Sequence, residues 1–241
     1  MKILTTLAVG LGIIAAPAAA VTTTFATFSA ISSTPSVEFV GSGSGAGVVS
    51  SVSQPVTFRL LDPNGGPDFA DFDATFNLVA NTSGGTVAGG IGIAPVTSGT
   101  FSFVSATPVT FAGSTGTNFL SGTFNGGAFT ALIGGSTANY GNSTPPNTVN
   151  FTSSFLDFTD STERGLAFAI TGINPLIEAA SFGAGPANFA GTIVGSFSAD
   201  VFAGNELPVV PEPATWALMI GGFGMVGGAM RRRNTLRTVT A

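Results

Sequence analysis

The chain has 241 residues, including 34 glycines and 14 prolines, and it contains neither cysteine nor histidine. The missing residue types exclude a disulfide scaffold, a zinc site with cysteine ligands, a thiol nucleophile and every catalytic triad that uses histidine. Charged residues make up only 8% of the chain, against about 25% in typical domains. Residues 21–213 contain two bases and twelve acids, a net charge of −10. Such a surface repels phosphate backbones, which argues against nucleic-acid binding.

The first twenty residues have the three parts of a secretory signal peptide. Lys2 supplies a basic start, and residues 3–16 are an apolar run. Ala18 and Ala20 then provide the small side chains that signal peptidase requires beside its cleavage site. The sequence therefore predicts that residues 1–20 are a signal peptide, cut after Ala20, and that the protein is exported. The alternative is a short buried helix of the mature fold.

Residues 21–207 are predicted to form one exported, β-rich domain. Apolar and polar residues alternate along much of this stretch, for example around Phe58, Phe76 and Phe168. Gly, Pro, Asn and Ser separate the alternating runs, and no stretch shows a sustained helical period. The pattern predicts a single all-β domain, a β-sandwich or jelly roll of roughly eight to ten strands.

Four short polar stretches are predicted to be turns or loops. A hairpin turn is expected at residues 125–127, where Asn-Gly-Gly separates two alternating runs. Loops are expected at residues 41–47 and 141–148, and a charged turn at residues 160–165.

An acidic cluster is the candidate metal site. Its five oxygen-bearing side chains fall within a short segment around a Gly-Pro turn: Asp62, Asn64, Asp68, Asp71 and Asp73. Closely spaced oxygen ligands suit Ca²⁺, which extracellular modules bind at about 10⁻⁴–10⁻³ M. The spacing lacks the ligand and glycine positions of an EF-hand loop, so the alternative is a solvated turn that leads into a strand. No other cofactor is predicted.

The domain shows no sequence pattern that predicts catalysis. Asp157 and Asp160 are paired carboxylates, the residue type that glycosidases use. Sugar-cleaving clefts usually stack rings on tryptophan or tyrosine, yet the single tyrosine is Tyr140 and the single tryptophan, Trp216, lies near the C-terminus. Turn formation is the simpler interpretation of the two aspartates. The glycines of residues 41–47 lack the lysine of a phosphate-binding loop. We therefore expect a non-enzymatic protein.

The C-terminal region contains a candidate membrane span. Residues 214–230 carry no charge and are followed by Arg231, Arg232 and Arg233. A helix over this run would be about 25 Å long, at the short end of what crosses a bilayer. The arginines are predicted to hold the C-terminal side in the cytoplasm, so that residues 234–241 form a cytoplasmic tail.

A short motif precedes this apolar run. Pro211, Glu212 and Pro213 come just before it, and Trp216 and Ala217 lie at its start. With the apolar run and the arginines, this segment resembles the PEP-CTERM sorting signal in its PEPxxWA form, over about residues 208–233. Two prolines keep the motif extended, and an indole is favoured at the membrane interface. The same element is also named the ice-binding protein C-terminal domain, a name that refers to the tail and to no ice-binding surface.

The resemblance implies a destination and two processing partners. Signal peptidase would act at the N-terminus, and exosortase, a membrane-embedded transpeptidase-like enzyme, would recognise Pro211, Glu212 and Pro213. The host would be a Gram-negative bacterium that makes exopolysaccharide, and the tail would anchor the protein transiently in the inner membrane. The final location would be the cell surface or medium, in association with exopolysaccharide or biofilm. One departure from the family is the extension over residues 234–241, because family tails usually end sooner.

Two other classes of function remain open. The chain could be a surface adhesin or a module that binds calcium, polysaccharide or ice, and a flat array of regularly spaced threonines on one sheet would favour ice. A secreted hydrolase is disfavoured by the missing histidine and cysteine.

Overall fold

The computed structural model describes residues 22–32, 34–42, 46–61, 69–144, 146–182 and 188–200. It contains twelve strands, which are β1 (Thr23–Ala30), β2 (Val37–Gly41), β3 (Gly47–Leu61), β4 (Phe69–Thr82), β5 (Thr86–Ala88), β6 (Ile91–Phe111), β7 (Ser114–Asn125), β8 (Ala128–Leu132), β9 (Ala138–Ser143), β10 (Thr148–Thr152), β11 (Arg164–Asn174) and β12 (Phe189–Ala199). A single 3₁₀ turn is found at Ala179–Ser181 in these segments. The all-β prediction is confirmed, but the described residues form twelve strands in one connected antiparallel sheet, more than the eight to ten expected.

Strand β6 is the longest strand, and two successive strands pair along it. Gly99 of β6 lies opposite Phe124 of β7, and Pro95 lies opposite Ala128 of β8. From the first pair to the second, β6 moves back by four residues and its partner chain moves forward by four. No residue is inserted or skipped, so β7 and β8 pair with β6 in one continuous register. They behave as one long strand with a short interruption.

The interruption falls at residues 125–127, where a hairpin turn was expected. Gly126 and Gly127 have φ angles of 79° and 69°, and Val96 bonds to both of them through backbone groups. The hairpin prediction is therefore wrong, because the flanking strands pair with β6 instead of with each other. The turn of this long hairpin lies at Ala112 and Gly113, between β6 and β7, where both φ angles are positive.

Strand β1 closes the sheet. It pairs with β3 through Phe28 and Phe58 and with β12 through Phe28 and Gly195. The pairings then form a circuit through β3, β4, β6, β8, β9, β11, β12 and β1. A bulge lies between Thr24 and Ala26, and both Phe25 and Ala26 are fully buried. The bulge breaks the alternation of apolar and polar residues, so β1 lacks the sequence pattern that marks strands such as those of Phe58 and Phe76.

The core is built mainly from phenylalanine. The alternating residues Phe58, Phe76 and Phe168 are all buried, as predicted. Phe101 of β6 and Phe197 of β12 have ring centroids 5.0 Å apart, although no ladder joins these two strands in the described sheet. Side chains from distant parts of the sheet therefore meet, and the sheet encloses one hydrophobic core.

Two of the predicted loops can be compared with the strands. The predicted loop at residues 41–47 is shorter than expected, because Gly41 ends β2 and Gly47 begins β3 and the two residues pair; residues 43–45 lie outside the described part of the chain. The stretch 141–148 is only partly a loop, because residues 141–143 belong to β9 and residue 148 begins β10. In the part of the chain that the structure describes, no helix has the length and apolarity needed to cross a membrane. The predicted signal peptide (1–20) and span (214–230) lie outside that part.

Candidate functional site

Two of the five predicted calcium ligands lie in the described strands. Asp71 and Asp73 are exposed neighbours on the same face of β4. Arg59, opposite Asp71 on β3, forms a two-pronged ion pair with it, with Nε–Oδ1 and Nη2–Oδ2 distances of 2.6 and 3.0 Å. The Arg59 hydrogen bond lowers the pKa of Asp71. A cation at Asp71 would have to compete with this arginine.

The other three ligands, Asp62, Asn64 and Asp68, lie outside the described residues. Among the residues that are described, no group of three or more acidic side chains could hold a metal ion. The calcium site therefore stays a prediction.

A melting experiment tests the calcium prediction. If the cluster binds Ca²⁺, millimolar Ca²⁺ should raise the melting temperature, because a cation bound only by the folded state stabilises it by mass action. Replacing Asp62 and Asp68 with alanine should remove the increase. Identical melting curves in calcium and in EDTA would show that the cluster is a solvated turn.

The two aspartates considered for glycoside chemistry have turn geometry. Asp157 Oδ1 accepts hydrogen bonds from the backbone N–H and the hydroxyl of Thr159, at 2.9 and 2.6 Å. These bonds lower the pKa of Asp157. Asp160 is exposed on the same turn. The arrangement is an Asx turn, in which an aspartate side chain bonds to backbone two residues ahead.

Arg164 connects this turn to the sheet. Its Nη2 donates to the carbonyl oxygens of Phe158 and Ser161, at 2.7 and 2.9 Å, and its Nη1 donates more weakly to Val149 and Asn150 on β10. The structure shows no ion pair for this arginine among the described residues. Its guanidinium therefore fixes the turn between β10 and β11 through carbonyl oxygens, a role that the sequence did not reveal.

Asp200 connects the chain after β12 to the same turn. This residue follows β12, is only 6% exposed, and is the last residue described. Its carboxylate accepts hydrogen bonds from the Ser161 hydroxyl at 2.8 Å and from the Thr162 hydroxyl at 2.7 Å and N–H. Its own N–H donates to the Glu163 carbonyl at 3.0 Å. A single aspartate after a strand has no distinctive sequence pattern, so this network could not be predicted.

The Asp200 network predicts a loss of stability in acid. Burial raises the pKa of Asp200, but hydrogen bonds from Thr162 and Ser161 outweigh it and lower the pKa from 3.8 to about 2. A carboxyl whose folded pKa is depressed stabilises the fold above its unfolded pKa, and this contribution is lost as the pH falls from about 4 to about 2. The contribution is roughly 2 kcal/mol.

Urea unfolding of the domain and of Asp200→Asn measures this contribution. At pH 7 the variant should be less stable by about 2 kcal/mol, and the difference should shrink toward zero near pH 2. Asp160→Asn is the matched control, since Asp160 is exposed on the same turn and its replacement should change the stability by less than about 0.5 kcal/mol. A difference for Asp200→Asn that is constant over this pH range would contradict the assignment.

The predicted processing residues lie outside the described part of the chain. They are Ala18, Ala20, Pro211, Glu212, Pro213, Trp216, Ala217, Arg231, Arg232 and Arg233. The processing role predicted for them depends on the sequence and on its match to a family model.

The chain combines an all-β domain with a proline-flanked motif, an apolar run and an arginine cluster that follow it in the sequence. Residues 209–233 match the family model for the PEP-CTERM protein-sorting motif. The predicted resemblance is thereby confirmed. The motif implies that the protein is exported, anchored in a membrane in transit and processed by exosortase. No curated protein and no solved structure matches the chain.

Proposed function

We propose that this protein is a non-enzymatic component of the cell surface or extracellular matrix of a Gram-negative bacterium, associated with exopolysaccharide. The observation that carries this proposal is the sorting motif at residues 209–233. It follows a domain whose last described strand, β12, ends at Ala199. The chain thus combines one folded unit with a delivery signal.

The domain itself supports a structural or binding role. We infer that the closed circuit of strands is flattened into a jelly-roll-like β-sandwich, in which unpaired strands face one another across the phenylalanine core, as those of Phe101 and Phe197 do. The chain lacks histidine and cysteine, and Asp157 is engaged by Thr159 in a turn. A β scaffold with exposed polar faces and no group engaged in a catalytic arrangement among the residues named here supports a structural or binding role.

The proposed route has two processing steps. Signal peptidase cuts after Ala20, and the helix over residues 214–230 holds the chain in the inner membrane with residues 234–241 in the cytoplasm. Exosortase then recognises Pro211, Glu212 and Pro213 and separates the domain from this helix. The domain passes to the cell surface or medium.

Deleting the exosortase gene of the host tests this route. In the deletion strain the protein should accumulate in the inner-membrane fraction with its C-terminal tail, and the shortened form should disappear from the surface and medium. Restoring exosortase should restore the shortened form. Equal amounts of shortened protein outside the cell with and without exosortase would contradict the proposal.

A further inference from the structure

One outer face of the sheet is a grid of uncharged polar side chains. The face is formed by β4, β6, β7 and β10, whose outward residues lie directly opposite one another. We name this grid the polar face. Two complete rows are Asn77, Ser102, Ser121 and Thr152, and Val79, Thr100, Thr123 and Asn150. Two further pairs, Asn81 opposite Ser98 and Asn125 opposite Thr148, complete the twelve positions. Every member except Val79 can form hydrogen bonds through a neutral hydroxyl or amide group.

The centre of the polar face has hydroxyl groups that the protein itself does not use. At the margins, Ser121 and Thr152 bond to each other at 2.8 Å, and Asn81 bonds to Ser98 at 3.1 Å. Thr100 and Thr123 lie opposite each other and are exposed, and neither hydroxyl has a hydrogen-bond partner among the described residues. These two hydroxyls remain available to a bound molecule.

The surface is concave at this point. A bulge places Thr97 as an extra residue in β6, between the pairs Asn81–Ser98 and Thr82–Val96. Bulges bend a strand and redirect its side chains. A cavity of about 370 Å³ lies beside the bulge, bordered by β4, β6, β7 and β10. Its lining includes Ser98, Thr100, Thr123, Asn125 and Thr148.

The charge of the surface indicates which class of molecule the polar face could bind. The twelve positions of the polar face contain no charged residue, and residues 21–213 carry a net charge of −10. A polyanion would be repelled by this domain. An apolar partner would bury Thr100 and Thr123 hydroxyls without partners, which costs free energy. A neutral polyhydroxylated chain avoids both penalties.

We propose that the polar face binds neutral polysaccharide, with the hydroxyls of Thr100 and Thr123 as its central contacts. This inference rests on the proposed matrix function, because it names the surface through which the delivered domain would meet exopolysaccharide. An ice surface fits the grid less well, since Val79 and Asn150 flank the threonine pair and interrupt its row.

Affinity electrophoresis and pull-down with defined polymers test the proposal on the purified full-length chain in detergent. The probes are dextran, galactomannan and insoluble cellulose as neutral polymers, and polygalacturonate as the anionic polymer. The wild type should bind at least one neutral polymer and bind polygalacturonate more weakly. The double substitution Thr100→Val and Thr123→Val removes two hydrogen-bonding groups and should weaken this binding by about tenfold. Valine keeps the β-branched shape, so the strands should form normally.

The matched control is Thr171→Val with Thr192→Val. These threonines are also directly opposite each other, but they lie on β11 and β12, away from the polar face. The control should bind like the wild type, and both double variants should keep the wild-type circular dichroism spectrum. Absence of binding to all three neutral polymers, stronger binding to polygalacturonate, or equal loss in the two double variants would each overturn the proposal. Exosortase takes no part in this assay. A failure of the polysaccharide-binding proposal is therefore distinguishable from a failure of the proposed sorting route.

Discussion

Replacing Pro211, Glu212 and Pro213 with alanine is expected to leave the protein in the inner membrane at full mature length. The substitution leaves the apolar run at residues 214–230 and the arginines unchanged, so insertion and orientation should survive. Release should fail, because the substitution removes the segment that we propose exosortase recognises. Fractionation followed by immunoblotting measures the effect, with the wild type appearing outside the inner membrane in a shortened form.

Changing Arg231, Arg232 and Arg233 to serine gives a useful contrast. We propose that these arginines keep the C-terminal side in the cytoplasm, so their removal should weaken anchoring as well as sorting. The alanine variant should therefore be retained in the membrane, and the serine variant should be held there less firmly. Release of the alanine variant at the wild-type level would mean that the tail is only an anchor.

Among the stability variants proposed for this domain, replacing Phe103 with alanine is expected to cause the largest loss in the free energy of unfolding. Phe103 is fully buried, and its ring centroid lies 4.7 Å from those of Phe28, Phe58 and Phe76. Truncating a buried phenylalanine costs about 3–5 kcal/mol through lost burial and the cavity left behind. This is a large fraction of the roughly 5–15 kcal/mol that stabilises a typical domain. Urea unfolding of the purified domain (residues 21–207) measures the loss.

Two variants control for this effect. Phe103→Leu keeps much of the buried volume and should cost clearly less than the alanine variant. Val52→Ala, at a position that is 71% exposed, should change the stability by less than about 0.5 kcal/mol. If Phe103→Ala unfolds at the same urea concentration as Val52→Ala, the ring cluster is not the centre of the core.

The strands with regular alternation could be predicted from the sequence. In β4, Phe76 and Leu78 are buried, and Asp71 and Asp73 on the other face are exposed, as the pattern required. Alternation is reliable here because the strand has one face on the core and one in water. The same logic located β11 through Phe168.

Pairing and irregular geometry could not be predicted in the same way. The glycines at positions 126 and 127 suit a hairpin turn, but they also suit an interruption in a long strand, and only partner strand β6 distinguishes the two. The bulge at Thr24–Ala26 concealed β1 because it disrupts the period of two. Local residue preferences alone predict neither the interruption at residues 126 and 127 nor the bulge in β1.

The functional features also fall into two groups, those that are contiguous in the sequence and those that only the fold brings together. The sorting tail could be recognised from the sequence, because its motif, apolar run and arginines are contiguous along the chain. The Asp200 network joins residues nearly forty positions apart, from Ser161 and Thr162 to Asp200. The polar face depends on strand register, which places Thr100 beside Thr123. Only the fold brings these groups together.

Intact mass spectrometry of the protein recovered from the medium tests the central claim most directly. The account predicts a chain that begins at Val21 and has lost the span and everything after it, about 28 residues if the cut follows Pro213. Any group attached by exosortase would appear as added mass at the new C-terminus. A secreted protein whose mass includes residues 214–230 and the following arginines would contradict the account.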